Sequence, residues 1–215
     1  NSKVVADKSL AVKATGADAD ITVKGGAYVA AKNAGENDKV ALTSEKGSVT
    51  VTGSGTAVEA GKDLEISALK TAAVEQSAKV GANDKLTVKA TGDAAKVAIQ
   101  SGASAYGKNN VELQAKNEAG NKGDVTINNA LVKAGAFSIN ETTGEIAAEP
   151  APAGDPAKLT VEAGNAVAVQ DGAQVAALGA AEITANGAGT DGGVTIDNSK
   201  VVADKSLAVK ATGAD

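Results

Sequence analysis

The chain contains no cysteine, histidine, methionine, tryptophan or arginine, and its only aromatic residues are Tyr28, Tyr106 and Phe137. Each absence removes a class of explanation. Without cysteine there are no disulfides and no thiolate metal sites. Without histidine, cysteine or arginine, acid–base or nucleophilic chemistry would rest on carboxylates, lysines, tyrosines and hydroxyls alone. A net charge of −5, with no arginine and almost no rings for bases to stack on, argues against nucleic acid as a partner. The apolar runs are short and alanine-rich, so the sequence predicts no membrane insertion by a spanning helix. Proline is confined to one stretch, at Pro150, Pro152 and Pro156.

What remains is alanine, valine, glycine, lysine and threonine. The hydrophobic fraction of 43% is largely alanine and valine. Such side chains suit a thin interior between closely stacked backbone segments rather than a thick core.

The segment NSKVVADKSLAVKATGAD occupies Asn1–Asp18 and returns, letter for letter, at Asn198–Asp215. The offset of 197 residues predicts a tandem array, with 1–197 one unit and 198–215 the start of the next. Within the unit, apolar residues alternate in short runs closed by Gly, Asn, Asp or Ala, which is the strand signal. An anchor class runs Leu10/Val12, Val40/Leu42, Leu64/Ile66, Leu86/Val88, Val111/Leu113, Phe137/Ile139, Leu159/Val161, Ala181/Ile183 and Leu207/Val209. Its intervals span 22 to 30 residues and close on the long repeat, which predicts eight coils.

A second strand follows each anchor, at Ile21/Val23, Val49/Val51, Ala72/Val74, Val97/Ile99, Val125/Ile127, Val167/Val169 and Val194/Ile196. A third follows at Val29/Ala31, Val58/Ala60, Val80/Ala82, Ala105/Gly107, Val132/Ala134, Val175/Ala177 and Val201/Ala203. The fold expected is all-β: a parallel β-helix, or β-solenoid, of about eight three-strand coils per unit, right-handed by the general crossover rule. Leu86, Val88 and Ala90 should point in, and Thr87 and Lys89 out. At a strand spacing of ~4.8 Å, eight coils predict a rise of roughly 38 Å per unit. The short, even step from third strand to next anchor predicts the tightest corner there, with insertions elsewhere. The sixth coil is irregular. Ile146/Ala148 would be its second strand, and residues 141–158, holding all three prolines, should leave the wall as a loop. Smaller excursions are expected at Asn33–Asp38, Asn117–Asp124 and Asn186–Gly193.

The phrases GDVTINNALVKAG, GGVTIDNSKVVADKSLAVKA, GSVTVTGSGTAVEAGKDLEIS and SAKVGANDKLTVKA resemble the repeats of filamentous-haemagglutinin-type adhesins. The shared pattern is G-x-V-T-[IV]-x-x-x-x-V-x-A-G-x-x-L-x-[IV], and it covers seven of the eight expected coils. The resemblance implies a right-handed β-helical shaft from a large secreted bacterial protein. The chain departs from that family in the size of its long unit and the identity of its copies, and it has no RGD tripeptide.

Site chemistry is sparse, and no catalytic, cofactor-binding or metal-ligating residue is assigned. A polysaccharide lyase or hydrolase would draw on Asp18 and Asp20 with Lys24, or on Glu36 and Asp38 with Lys39. Solvated corner charges account for both groups. Calcium would find oxygen ligands at Ala17–Asp20, Gly35–Asp38 and Thr190–Gly193, but none matches a calcium-binding motif, and turn formation explains the same residues. Thr50/Thr52 makes one outward T-x-T pair, flanked by Thr22/Lys24 and Ala73/Glu75, so no ice-binding array is expected. Tyr28 and Tyr106 are candidate contact points for sugars or partners. Outward Lys and Glu should form charge ladders that keep neighbouring shafts from sticking. The reading that follows is a structural repeat of an extracellular, bacterial cell-surface fibre or adhesin stalk, without enzymatic activity. Its partners would be adjacent identical units stacked end to end, and laterally a sister fibre, receptor or glycan.

Overall fold

The computed structural model describes residues 2–36, 38–139, 146–148, 157–187 and 192–213. Their regular structure is entirely β. Three parallel sheets form the walls of a solenoid, and no helix among the described residues is long and apolar enough to cross a membrane.

The anchor strands make one sheet of eight: Leu10–Ala14, Lys39–Ser44, Asp63–Ala68, Lys85–Ala90, Asn110–Ala115, Lys158–Ala163, Ala180–Ala185 and Ser206–Ala211. The second strands make a sheet of seven: Ile21–Val23, Val49–Thr52, Thr71–Glu75, Lys96–Gln100, Asp124–Asn128, Ala166–Gln170 and Gly193–Ile196. The third strands make another sheet of eight: Lys3–Ala6, Tyr28–Ala31, Ala57–Ala60, Lys79–Ala82, Ser104–Gly107, Leu131–Ala134, Gln174–Ala177 and Lys200–Ala203. Each strand hydrogen-bonds to its counterpart one turn away, in register, as in Leu86↔Val111 and Val88↔Leu113. Facing follows the alternation. In Lys85–Ala90 the residues Leu86, Val88 and Ala90 are buried, while Thr87 and Lys89 are half-exposed.

The coil count needs correction. Phe137–Ile139 is not an anchor strand. It pairs antiparallel with Ile146–Ala148, Phe137 opposite Ala148 and Ile139 opposite Ile146. Asn110–Ala115 therefore pairs directly with Lys158–Ala163. The 197-residue unit makes about seven turns, and the presumed sixth coil is a hairpin inserted between two of them. Alternation marks a strand but does not name its partner. This segment also offered no third strand before Lys158, so it could not close a coil. At ~4.8 Å per turn the unit rises about 34 Å, not 38. The prolines, and the rest of the loop expected over 141–158 apart from Ile146–Ala148 and residues 157–158, lie outside the described residues.

The corners also differ from expectation. Five third-to-anchor corners are only two residues long, such as Asn83–Asp84 and Lys108–Asn109, and so are tight. Yet the hairpin and the excursion at 32–38 both insert at this corner. The most uniform corner joins the second sheet to the third. There Gln76, Ser77, Ser101, Asn129, Asp171 and Asn198 hold positive φ angles. Left-handed backbone costs a non-glycine residue about 1–2 kcal/mol. The corner offsets this by extending the ladder between turns: Ser101 N donates to Asn128 O at 3.1 Å, and Asn129 N to Gln170 O at 3.1 Å. GDVTINNALVKAG and GGVTIDNSKVVAD, two phrases of one pattern, turn this corner alike, since Asn129 and Asn198 share this conformation (φ 44 and 43).

The interior is built of columns. Val40, Leu42, Val49, Val51, Ile66, Leu86 and Leu113 are fully or almost fully buried. Burying such a side chain contributes about 1.5–3 kcal/mol. Where walls converge, the columns are alanine. One runs Ala14, Ser44, Ala68, Ala90, Ala115, Ala163, Ala185 and Ala211. The exception, Ser44, donates to Ala19 O at 2.6 Å and accepts from Gly47 N at 2.9 Å, so its buried hydroxyl is satisfied. A second column runs Ala6, Ala31, Ala60, Ala82, Gly107, Ala134, Ala177 and Ala203. Gly107 breaks it because a Cβ there would fall on the carbonyl oxygen of Asn110, a backbone atom that cannot step aside. Gly107→Ala, the substitution the column suggests, should therefore destabilise the chain by about 1–3 kcal/mol in a denaturant or thermal melt. An unchanged or raised midpoint would contradict this packing.

Candidate assembly interface

Two kinds of surface present themselves, the ends of the solenoid and its outward walls. The first described turn leaves Lys3–Ala6, Leu10–Ala14 and Ile21–Val23 each with a neighbour on one side only. The last leaves Gly193–Ile196, Lys200–Ala203 and Ser206–Ala211 in the same condition. Among the described residues, six of the seven exposed large hydrophobic ones lie on these two turns: Val4, Val12, Ile196, Leu207 and Val209 at inward positions, and Val202 on the outward wall. Leu207 and Val209 are 47% and 46% exposed, whereas Val40 and Leu42, inward at corresponding places in the anchor sheet, are at 0%. Edges with free N–H and C=O groups and uncovered core residues are sticky in the direction of the axis.

The outward wall of the anchor sheet is a lattice of opposite charges. Glu65 lies between Lys39 of the preceding turn and Lys89 of the following one, at 3.9 and 2.7 Å. Lys85 meets Glu112 at 2.6 Å, Lys116 meets Glu162 at 2.8 Å, and Lys158 and Lys210 flank Glu182 at 3.9 and 2.8 Å. The ladders expected from sequence are present, and they run between turns. A shallow depression of about 370 Å³ on this wall is lined by Lys39, Glu65, Lys85, Lys89 and Glu112 among others. Its Glu65 is held below the usual carboxylate range, chiefly by the hydrogen bond from Lys89 and against the opposing effect of burial. Glu162 is pushed up by burial, but the hydrogen bonds from Lys116 and Gln114 and the charge of Lys116 bring it below its ordinary value. Carboxylates so held stay ionised and make poor general acids.

The third sheet's outward wall carries both tyrosines, which the topology brings to one face. Tyr28 donates its hydroxyl to Glu59 at 3.0 Å, with Lys3 Nζ 5.7 Å from its ring. Tyr106 lies over Gly81, its partner in the adjacent strand, where any Cβ would strike the ring. Lys133 Nζ stands 5.6 Å from the Tyr106 ring, within cation–π range. Burial first, then the nearby Glu59, pushes the Tyr106 hydroxyl's pKa up. The composition of Gly81 gave no hint of this seat; only the register pairs it with Tyr106.

The other candidate residues serve the turns. Asp18 accepts from Lys70 Nζ at 2.5 Å, a clip across the coils, and that hydrogen bond holds the Asp18 carboxyl low. Asp20 accepts from Ser48 N at 2.7 Å. Asp38 accepts from Gly35 N at 3.0 Å, and Lys39 leans towards Glu65. Among the described residues no group of three or more acidic side chains is placed to hold a metal ion. Thr190 and Asp191 of the third calcium candidate lie outside them. The outward Thr22, Thr50 and Ala73 share one register row, with Thr52 beside Glu75, so the T-x-T pair stays isolated as expected.

The lowered pKa of Glu65 has a direction in pH. A carboxyl held lower in the folded than in the unfolded chain stabilises the fold above its unfolded pKa, and the contribution is lost as pH falls through the folded value. Glu65→Gln should lower stability at neutral pH by about 0–1 kcal/mol, a range set by its partial exposure. The difference from the parent should vanish in acid, as read from urea midpoints across the carboxylate range. A difference that persists at low pH would contradict the ion-pair origin. The chain matches no model of a known protein family, and it has no significant match among curated proteins or solved structures.

Proposed function

We propose that the chain is a structural repeat of a long surface fibre or adhesin stalk that grows by stacking turn on turn. The observation that carries this reading is the position of the repeated segment. Lys3–Ala6 and Leu10–Ala14 edge two sheets at one end, and their sequence copies in Lys200–Ala203 and Ser206–Ala211 edge the same two sheets at the other. A following unit would continue both sheets from Lys200–Ala203 and Ser206–Ala211 as Tyr28–Ala31 and Lys39–Ser44 continue them from the first turn. The exposed Leu207 and Val209 would then become interior residues of an unbroken column.

The charge lattice supports the same continuation. Lys13 pairs with Glu45 at 2.6 Å, and its copy Lys210 pairs with Glu182 at 2.8 Å. In a tandem array one lysine at this position has a glutamate on either side, so the ladder passes the seam without a gap. Function here is reach: each unit lengthens the shaft by a constant step of about 34 Å. Coils within one giant chain are the first form of this reading, and a polymer of separate subunits the second. The likeness of the strand phrases to filamentous-haemagglutinin repeats favours an extracellular, bacterial setting.

A chain of two fused units should be twice as long and the same width as one. It should melt in a single transition above that of the 215-residue chain, because the seam removes one pair of open ends. Fibres should show an axial repeat near 34 Å by diffraction or averaged images. Two independent transitions, or an axial repeat far from that value, would overturn the stacked reading.

A further inference from the structure

The three walls carry charge differently. On the anchor wall the lysines stand among glutamates. On the third wall the outward charges are Lys3, Lys79, Lys133 and Lys200 against the single acid Glu59, which accepts the Tyr28 hydroxyl. Among the described residues no ion pair joins any of these four lysines to a carboxylate. Lys79, Lys133 and Lys200 lie on alternate strands of one sheet, so they recur roughly every 10 Å along the axis. The wall is a basic strip with two aromatic rings, on a chain whose net charge is −5.

The complementary charge is in the same chain. Residues 140–156, the insertion around the hairpin, contain Glu141, Glu145, Glu149 and Asp155 and no lysine. The insertion leaves the wall just after Leu131–Ala134, the strand that carries Lys133. Its strands Phe137–Ile139 and Ile146–Ala148 pair with each other and belong to none of the three walls.

We propose that the acidic insertion of one copy docks on the basic tyrosine wall of a second copy, joining shafts side by side. Four carboxylates meet lysines that have no acidic partner of their own, and the tyrosine rings supply flat apolar area between them. The pairwise contact needs only two copies of this chain. Its repetition rests on the stacked array: loop and wall then recur with one period on every shaft, so two shafts aligned in parallel match at each unit and weak contacts add.

The test uses the full 215-residue chain. At about 20 mM salt, negative-stain images should show particles associated side by side, and at about 500 mM salt single shafts, because exposed charges are screened. Replacing Lys79, Lys133 and Lys200 together by Glu should weaken lateral association about tenfold or more. Replacing Glu141, Glu145, Glu149 and Asp155 by Lys should do the same, and mixing the two variants should restore it. Circular dichroism confirms that each variant keeps its β structure. With no tryptophan in the chain, ultraviolet emission comes from Tyr28 and Tyr106, both on this wall, and should change on association only. Carbodiimide cross-linking of isotopically light and heavy chains should join insertion acids to wall lysines between chains. The proposal is overturned if cross-links form only within a chain, if the mixture fails to associate, or if the wall variant associates like the parent. Lateral docking is read from particle width and end-to-end stacking from length, so either can fail without the other.

Discussion

The hydrogen-bond ladder between turns is the constraint from which everything else descends. A strand of the three walls has no partner in its own turn; its N–H and C=O groups are satisfied by the turns on either side. Every turn must therefore repeat the path of its neighbours closely enough to stay in register through three walls and three corners. The ladder is carried even around the left-handed corner, where Ser77, Ser101, Asn129 and Gly172 each donate to the adjacent turn. A segment that cannot follow the path is expelled as a whole, as the hairpin is, while the strands on either side of it close up.

Register turns a linear sequence into columns, and columns decide which residue types a position tolerates. Inward strand positions hold Leu, Ile and Val in contact with their own kind. Corners hold alanine because opposing walls converge there. The two buried polar residues among those described, Ser44 and Thr56, stand at corners with backbone partners: Ser44 serves Ala19 and Gly47, and Thr56 accepts from Gly26 N at 3.0 Å. Outside, the same register sets lysine against glutamate along one wall and collects lysine and tyrosine on another. Composition alone distinguishes none of these walls.

Much of the architecture was legible because period-two alternation and turn residues are local signals. Leu86/Val88, Val97/Ile99 and Val80/Ala82 lie in the walls to which spacing had assigned them. Phe137/Ile139 shows where this reasoning stops. It has the alternation of an anchor strand and nearly the right interval, but partner choice depends on whether a third strand can close the turn. The candidate sites were less legible. Asp18, Asp20 and Asp38 are carboxylates in turns, and only the fold clips them to Lys70, Ser48 and Gly35. The seat of Tyr106 over Gly81 joins residues of different turns, and nothing in the local sequence announces it.

By itself the sequence determined the strand positions, their facing, the parallel solenoid class and the tandem character implied by its repeated segment. These follow from alternation, turn chemistry and identity, all properties of neighbours along the chain. Tertiary structure decided that there are seven turns and not eight, which corner admits insertions, and which charges stand paired. Those outcomes depend on which strand a segment pairs with, and a strand carries the same alternation whether its partner is the turn above or its own hairpin.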